Sequence, residues 1–223
     1  LGAVPFHMWV PDVYEGSPTA VTGFLGTVPK LAAFALLIRL FEGAMPTFYF
    51  DWHVLLIIVA VLSLFVGNVM AIVQTNIKRM LAYSTIAHVG FILLAVSVNR
   101  DYGNTAALYY VIVYAIMAAA AFGMIMLLSK AGIEFDNIED FSGLNSRSSW
   151  LAMMMFLIMF SMAGIPPLIG FDAKFMVISA LVHSGYYYLA GYALIMSVVG
   201  AYYYIRVVKA IYFDQPKVST PIS

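Results

Sequence analysis

The chain of 223 residues lacks cysteine and is poor in charge. The lack of cysteine excludes disulfides, iron–sulfur ligation and thiolate metal sites within this segment. Charged residues make up 10% of the sequence, whereas soluble globular chains carry about 25%, so the chain cannot cover itself with a solvated surface. Eleven basic and eleven acidic residues give a formal net charge of zero, which leaves no basic footprint for nucleic acid.

The catalytic patterns of soluble enzymes are also missing. The sequence shows no nucleophile beside a base, no glycine-rich phosphate loop and no histidine–carboxylate cluster at metal spacing. We therefore expect no metal site and no cofactor-binding site in this chain. The sequence starts at Leu1 without a signal-peptide pattern, so we expect it to be a fragment of a longer protein.

Long apolar runs are what the sequence does contain. Hydrophobic residues make up 63% of it and the mean hydropathy is +0.93, which predicts an all-α, polytopic transmembrane helix bundle formed as one membrane domain over residues 1–223. Runs of about 20 apolar residues mark the crossings. The predicted spans are residues 18–41, 54–75, 82–98, 105–129, 150–183 (broken) and 186–213.

The lysines and arginines indicate the orientation of these spans. If successive spans alternate sides, one face receives Lys78, Arg79, Lys130, Arg147, Arg206, Lys209 and Lys217, and the other receives Arg39 and Arg100. The first face is then the cytoplasmic one or its equivalent. This bias holds only if residues 150–183 cross once, which predicts a helix that is interrupted in the middle.

The stretch SMAGIPPLIGFDAKF at 161–175 carries that interruption. Pro166 and Pro167 lack backbone donors, so with Gly170 they predict an unwound break and a restart near residue 171. The restart places Lys174 in the first turn of a half-helix, with Asp172 facing elsewhere. A charged residue at mid-bilayer costs about 2.5–3.5 kcal/mol, which makes Lys174 a candidate for proton transfer. The alternative is a lysine that snorkels to a lipid headgroup.

Lys30 is the second candidate for proton translocation. It lies midway along the span 18–41 and directly follows Pro29, which we expect to break or bend the helix. No carboxylate lies near it in the sequence, so a counter-ion would have to come from another helix. The alternative is an interhelical salt bridge with no transport role.

Two histidines complete the candidate proton path. His88 lies inside an apolar span, and His7 lies in the proline-flanked stretch PFHMWVP. Either could relay protons because imidazole titrates near physiological pH, and a buried histidine bonded to a backbone carbonyl is the alternative for each. The methionines and the YYY runs at 186–188 and 202–204 are interpreted as lipid-facing or packing residues, and residues 133–141 as a solvated acidic loop.

Long motifs in the chain resemble one family. They are VPFHMWVPDVYEGSPTAV at 4–21, PKLAAF at 29–34, GNVMAIVQTNIKRMLAYSTIAHVGF at 67–91 and AGIPPLIGFDAKF at 163–175. They are similar to the antiporter-like subunits of proton-pumping NADH:quinone oxidoreductase, respiratory complex I. The residue sequences of the first and last motifs are most similar to those of the N-type subunit. The match covers nearly the whole chain.

The resemblance implies more than the residues alone. Members carry inverted helical repeats, each with an interrupted helix, and a central line of lysines and histidines. Lys30 matches the family's mid-membrane lysine, Lys174 the lysine of the second broken helix on the exit side, and His7 the histidine of the first broken helix. The family's remaining lysine and its paired glutamate would precede Leu1, and a last helix would follow Ser223.

The resemblance also implies the setting of the chain. FMN and iron–sulfur clusters are expected in other subunits, quinone is the substrate of the whole complex, and the partners are adjacent antiporter-like and small membrane-arm subunits. We expect a multi-pass protein of a bacterial inner membrane rather than an organellar one.

The hypothesis is a proton-translocating subunit in which repulsion between protonated Lys30 and Lys174, about 4–8 Å apart, drives release. The first alternative is a subunit of a cation/proton antiporter of the same fold. The second is a purely structural assembly subunit.

Overall fold

The computed structural model describes residues 1–98, 100–129 and 135–215. Regular structure in these ranges is helical, apart from one isolated bridge between Asn76 and Asn137. Lys130 and Lys217, assigned above to the basic face, lie outside the described residues, as does the side chain of Arg100.

Nine α-helices make up the described part of the chain. They are α1 (Trp9–Gly16), α2 (Thr19–Ile38), α3 (Tyr49–Ile72), α4 (Ile77–Val96), α5 (Arg100–Leu128), α6 (Leu144–Arg147), α7 (Ser149–Ala163), α8 (Ile169–His183) and α9 (Tyr187–Phe213). A π-helical turn at Arg39–Ala44 extends α2 and a 3₁₀ turn at Ile138–Phe141 precedes α6. Helices α2, α3, α4, α5 and α9 are long and apolar enough to cross a membrane.

Helix α4 begins five residues before the predicted span. The Asn76 side chain caps it by accepting a hydrogen bond from the backbone N–H of Arg79 at 3.0 Å. An asparagine cap satisfies one of the donors that the first turn of a helix leaves free. Lys78 and Arg79 therefore belong to the first turn of the helix instead of the preceding loop. Helix α3 ends at Ile72, three residues before the predicted end of its span.

Helix α4 is the centre of the bundle, and almost its whole surface is covered by protein. It approaches α3 closely through two glycines. A Cβ atom on Gly67 would lie 2.6 Å from the Ala87 backbone nitrogen, and one on Gly90 would lie 2.9 Å from the Ala60 carbonyl oxygen. No side chain fits at either position, so the two backbones pack directly against each other.

The basic residues at one end of the bundle make specific contacts. Lys78, 2% exposed, pairs with Asp136 at 2.8 Å, and Arg79 pairs with Asp12 at 2.9 Å and Glu15 at 2.6 Å. Both residues lie in the first turn of α4, and the assignment of this end to the cytoplasmic face stays a prediction.

The acidic loop at this end is only partly solvated. Residues 133 and 134 lie outside the described residues, but Ile138 and Phe141 are buried, and the Ile138 N–H bonds to the Thr75 carbonyl at 2.9 Å. The interpretation as a solvated loop is therefore wrong for these two apolar residues, which pack into the core.

The discontinuous helix predicted near residues 163–171 is confirmed. Helix α7 ends at Ala163, and Gly164 terminates it at φ +82°, a left-handed conformation that favours glycine. Pro166 and Pro167 lie in the break, and α8 starts at Ile169.

Two proline and glycine assignments are corrected. Pro29 does not break a helix: α2 continues through it, because the one missing N–H leaves the rest of the ladder intact. Gly170 lies in the first turn of α8, not in the break itself.

The two half-helices lie one after the other along α9. Phe156 of α7 contacts Tyr212 near the end of α9, with ring centroids 5.9 Å apart. Lys174 of α8 lies beside Gly200, about halfway along α9. His183, the last residue of α8, stacks on Tyr102 at the start of α5. Residues 149–183 therefore cross the bundle once.

Ser161 and Gly170 join the half-helices across the break. The Gly170 N–H donates to Ser161 Oγ at 3.2 Å, and that hydroxyl donates to the Met117 sulfur of α5 at 3.1 Å. A Cβ atom on Gly170 would lie 1.8 Å from the Ser161 carbonyl oxygen. Glycine is therefore required for α8 to start this close to α7.

Candidate functional site

Lys30 lies on α2 and points into the bundle, where its side chain is 9% exposed. Its Nζ donates to the hydroxyl of Tyr14 at 2.9 Å and lies 3.5 Å from that of Tyr114. The same nitrogen lies 5.4 Å and 5.2 Å from the centres of these two rings, within the range of a cation–π contact. Among the described residues no carboxylate pairs with Lys30, so aromatic rings and hydroxyls take the place of the expected counter-ion.

Thr85 connects this lysine site to the central helix. Its hydroxyl lies 2.6 Å from the Tyr114 hydroxyl, and it also donates to the Leu81 carbonyl at 2.8 Å. Thr85 has a single hydroxyl proton, so while it donates to Leu81 the Tyr114 hydroxyl donates to Thr85, and the bond reverses only if Thr85 releases Leu81. A hydrogen-bonded line therefore reaches from Lys30 on α2, through α5, to α4.

His88 lies one turn further along α4 and is almost fully buried. Its Nδ1 atom lies 2.8 Å from the Tyr110 hydroxyl and its Nε2 atom 3.0 Å from the Tyr204 hydroxyl. A neutral imidazole donates through one nitrogen and accepts through the other, so one tyrosine accepts while the other donates. The His88 ring also lies 4.9 Å from the Tyr114 ring, which places it beside the Lys30 site.

Lys174 lies in the second turn of α8 and is 6% exposed. Its Nζ donates to the carbonyl oxygen of Ala163 at 2.6 Å and lies 5.5 Å from the centre of the Phe91 ring. The predicted place in the first turn is wrong, because α8 starts at Ile169, two residues before the expected restart. The amine faces the C-terminal, negative end of α7, where a cation is favourably placed. Asp172 is exposed on another face of α8.

A cavity of about 10 Å³ borders both His88 and Lys174. It is lined by Asn68, Ala87, His88, Phe91, Lys174, Met196, Gly200, Tyr203 and Tyr204. The polar side chains of this lining are those of Asn68, His88, Lys174, Tyr203 and Tyr204.

His7 is not joined to this line in the described residues. It lies in the turn before α1, and its Nδ1 atom is buried without a hydrogen-bond partner among the described residues. The structure thus brings Lys30, His88 and Lys174 to one buried strip that does not include His7.

The sequence of the chain matches one known protein family. The family model described as "NADH:quinone oxidoreductase/Mrp antiporter, TM" matches residues 1–201, about nine-tenths of the chain. The chain belongs to this family.

Curated members of the family resemble the chain over its whole length. NADH-quinone oxidoreductase subunit N of Thioalkalivibrio sulfidiphilus (strain HL-EbGR7) is 58% identical over 222 residues, which are 100% of this chain and 46% of that protein. The chain thus spans about half the length of the curated relatives that it matches.

Two solved structures share the fold of this chain. A chain of respiratory complex I from Thermus thermophilus with bound aureothin is 36% identical at a TM-score of 0.81, covering 97% of this chain and 47% of that one. A chain of the Mrp complex from Dietzia sp. DQ12-45-1b is 24% identical at a TM-score of 0.89, covering 99% and 41%. The second likeness shows the fold alone.

Five buried tyrosines are the part of the site that sequence reasoning missed. They are Tyr14, Tyr110, Tyr114, Tyr203 and Tyr204. The interpretation of the second YYY run as lipid-facing or packing holds for exposed Tyr202 and for buried Tyr203 and Tyr204, but it did not foresee the bond of Tyr204 to His88. A signal was present in α5, where Tyr110 and Tyr114 are four residues apart and so share one helix face.

Proposed function

We propose that the chain is part of an N-type, proton-translocating membrane-arm subunit of NADH:quinone oxidoreductase. The observation that carries the proposal is the buried polar strip. In it Lys30, His88 and Lys174 come from three helices, and tyrosine hydroxyls bond to Lys30 and His88. Buried lysines without carboxylate partners are costly in a membrane and mark proton paths. The identity to subunit N of Thioalkalivibrio sulfidiphilus supports the choice of complex.

The strip gives an order of proton transfer. A proton on the Lys30 amine passes by way of the Tyr114 and Thr85 hydroxyls toward His88 on α4. His88 then delivers it toward Lys174, which releases it on the far side. In this order His88 is a carrier between the two lysines, since it contacts the Tyr114 ring at the Lys30 site and lines the cavity that Lys174 also lines.

The driving energy comes from electron transfer elsewhere in the complex. FMN and iron–sulfur clusters belong to other subunits in this proposal, quinone is the substrate of the whole enzyme, and this chain holds no redox centre. Its partners are the adjacent antiporter-like and small membrane subunits. The membrane is a bacterial inner membrane, in keeping with the bacterial subunit N relatives.

The test uses the full-length subunit in the assembled enzyme, reconstituted in proteoliposomes. Lys30→Ala and Lys174→Ala are expected to abolish the subunit's share of NADH-driven proton translocation while the complex still assembles. Lys209→Ala is the control, since Lys209 is exposed near the end of α9. Undiminished translocation in both site variants would refute the proposal and leave a structural assembly role.

A cation/proton antiporter subunit is the second candidate. The TM-score of 0.89 to a chain of the Mrp complex supports this second candidate, because one fold can carry out both proton pumping and cation/proton exchange. The two are separated by ion dependence: proton movement that requires sodium, in a complex that does not reduce quinone, would decide for the antiporter.

A further inference from the structure

Among the described residues, Tyr204 both bonds to His88 and lines a cavity that Lys174 also lines. Its side chain is 1% exposed, its hydroxyl lies 3.0 Å from His88 Nε2, and it lines the same cavity as Lys174. We propose that Tyr204 is the residue that passes the proton from His88 to Lys174. This inference rests on the proposed function and adds a named carrier to it.

The orientation of His88 makes Tyr204 the exit partner. Tyr110 holds the opposite ring nitrogen, Nδ1, at 2.8 Å, so the ring cannot turn Nε2 away from Tyr204 without breaking that bond. The Nε2 side is therefore the side that gives the proton up to Tyr204. Tyr110 acts on the transfer by positioning His88.

Lys174 needs only to change partner to reach Tyr204. Its Nζ now donates to the Ala163 carbonyl, and its stem passes so close to Gly164 that a Cβ atom there would lie 2.7 Å from Lys174 Cδ. The amine and Tyr204 line the same cavity. In this proposal a change of side-chain torsions releases the amine from the carbonyl and turns it toward the Tyr204 hydroxyl.

Tyr203, the neighbour of Tyr204, is committed to a structural contact. Its hydroxyl donates to Asn68 Oδ1 at 3.1 Å, and the Asn68 amide donates in turn to the Leu64 carbonyl at 2.9 Å. Gly200 leaves room for this contact, since a Cβ atom there would lie 2.8 Å from Asn68 Oδ1. Tyr203 and Asn68 thus form one wall of the cavity. Tyr204, whose hydroxyl also bonds to Tyr203 and Ser84, carries the bond to the histidine.

The transfer step conserves protons and charge. Protonated His88 gives its Nε2 proton to the Tyr204 oxygen, while the Tyr204 hydroxyl proton passes to the neutral Lys174 amine. His88 becomes neutral, Lys174 becomes an ammonium, and Tyr204 ends as a neutral phenol. Rotation of its hydroxyl restores the starting arrangement.

The experiment compares Tyr204→Phe with Tyr192→Phe in the full-length subunit of the assembled enzyme. Tyr192 is the matched control, because it also lies on α9 and its hydroxyl donates to the Val61 carbonyl at 2.9 Å, outside the strip. The readouts are the amount of assembled complex and the protons moved per NADH oxidised in proteoliposomes. Tyr204→Phe is expected to lose as much proton translocation as Lys174→Ala, and Tyr192→Phe none.

The outcomes separate this inference from the proposed function. Loss in Lys174→Ala with normal translocation in Tyr204→Phe overturns the Tyr204 role only. Normal translocation in Lys174→Ala refutes the proposed function and this inference with it.

If Tyr204→Phe fails to assemble, 3,5-difluorotyrosine is placed at position 204. This residue keeps the ring and the hydroxyl but is more acidic. A changed pH profile of translocation then supports transfer through residue 204, and an unchanged profile overturns it.

Discussion

The amine of Lys174 in α8 bonds to the carbonyl oxygen of Ala163, the last residue of α7, at 2.6 Å. Four residues after Ala163 stands Pro167, which has no N–H to offer this carbonyl. The break in the helix thus leaves the Ala163 carbonyl free to accept a hydrogen bond, and Lys174 of the second half-helix donates to it. The distance between the half-helices therefore decides where the lysine amine rests.

That distance is set by Gly170, so we predict that Gly170→Ala separates the half-helices. The added Cβ atom would lie 1.8 Å from the Ser161 carbonyl oxygen, a backbone atom that cannot move aside alone. We expect a loss of about 3 kcal/mol or more of stability, at the upper end of overpacking costs. The measurement is the thermal denaturation midpoint and yield of the assembled complex.

Gly191→Ala serves as the control for this change. A Cβ atom on Gly191 of α9 meets nothing within 4 Å. Alanine inside a helix is favoured over glycine by about 0.5–1 kcal/mol, so this variant should be unchanged or slightly more stable. Equal behaviour of the two variants would show that the close approach at Gly170 does not matter.

Tyr14→Phe is predicted to slow proton translocation. It removes the hydroxyl that accepts the shorter bond from Lys30, at 2.9 Å. A hydrogen bond to a charged group contributes about 1.5–3 kcal/mol, so the rate should fall about tenfold or more. Tyr49→Phe is the control, because that hydroxyl bonds to the Ser97 carbonyl outside the strip. A normal rate of NADH-driven translocation in Tyr14→Phe would contradict the assignment of Tyr14 to the lysine site.

Asp136→Asn is predicted to destabilise the start of α4. Lys78 is 2% exposed and lies in the first turn of a helix, where a positive charge is disfavoured, so the Asp136 carboxylate compensates it. Breaking a fully buried pair costs about 3–5 kcal/mol; since Asp136 is 39% exposed, we expect about 2 kcal/mol.

Hydrogen exchange of the first turn of α4 measures this effect. Asp51→Asn makes the same chemical change at an exposed position in the first turn of α3 and should leave exchange in α4 as it was. Protection that is identical in Asp136→Asn and the wild type would rule the prediction out.

Arg206→Lys is predicted to loosen the end of α3. The Arg206 guanidinium donates to the Ile72 carbonyl at 2.7 Å and also to the Gln74 carbonyl, so it caps the last turn of α3 with two nitrogens. Lysine has one compact ammonium and cannot reproduce this fork. We expect a loss of about 1.5–3 kcal/mol, read from the thermal midpoint of the complex. Lys209→Arg, at an exposed position, is the comparison and should have no effect.

The sequence predicted the helical class and the broken helix well, because apolar runs and a Pro-Pro pair act locally. It predicted Lys30, His88 and Lys174 as candidates, since ionisable residues stand out against an apolar background. It placed Lys174 wrongly by less than a turn, because the restart of α8 depends on the contact between Gly170 and Ser161 across the break, which residue spacing alone does not predict.

The buried tyrosines could not be found in the same way. A tyrosine in an apolar run suits a lipid interface, a packed core or a polar path equally well. Tyr188, which is 97% exposed, and buried Tyr204 look alike in the sequence. Only the packing of α9 against α4 separates them, and that packing brings together residues more than a hundred positions apart.

The strip joins a helix that is almost fully enclosed by protein, α4, to one that is mostly not enclosed, α2. Thr85 and His88 sit on a helix that touches protein on almost every side, whereas two-thirds of the α2 span, which carries Lys30, faces outward on this chain. A transmembrane helix adjusts to bilayer thickness by tilting. Under the proposed function, a change of bilayer thickness or a neighbouring subunit that tilts α2 would therefore change the distance between Lys30 and the Tyr114–Thr85 pair.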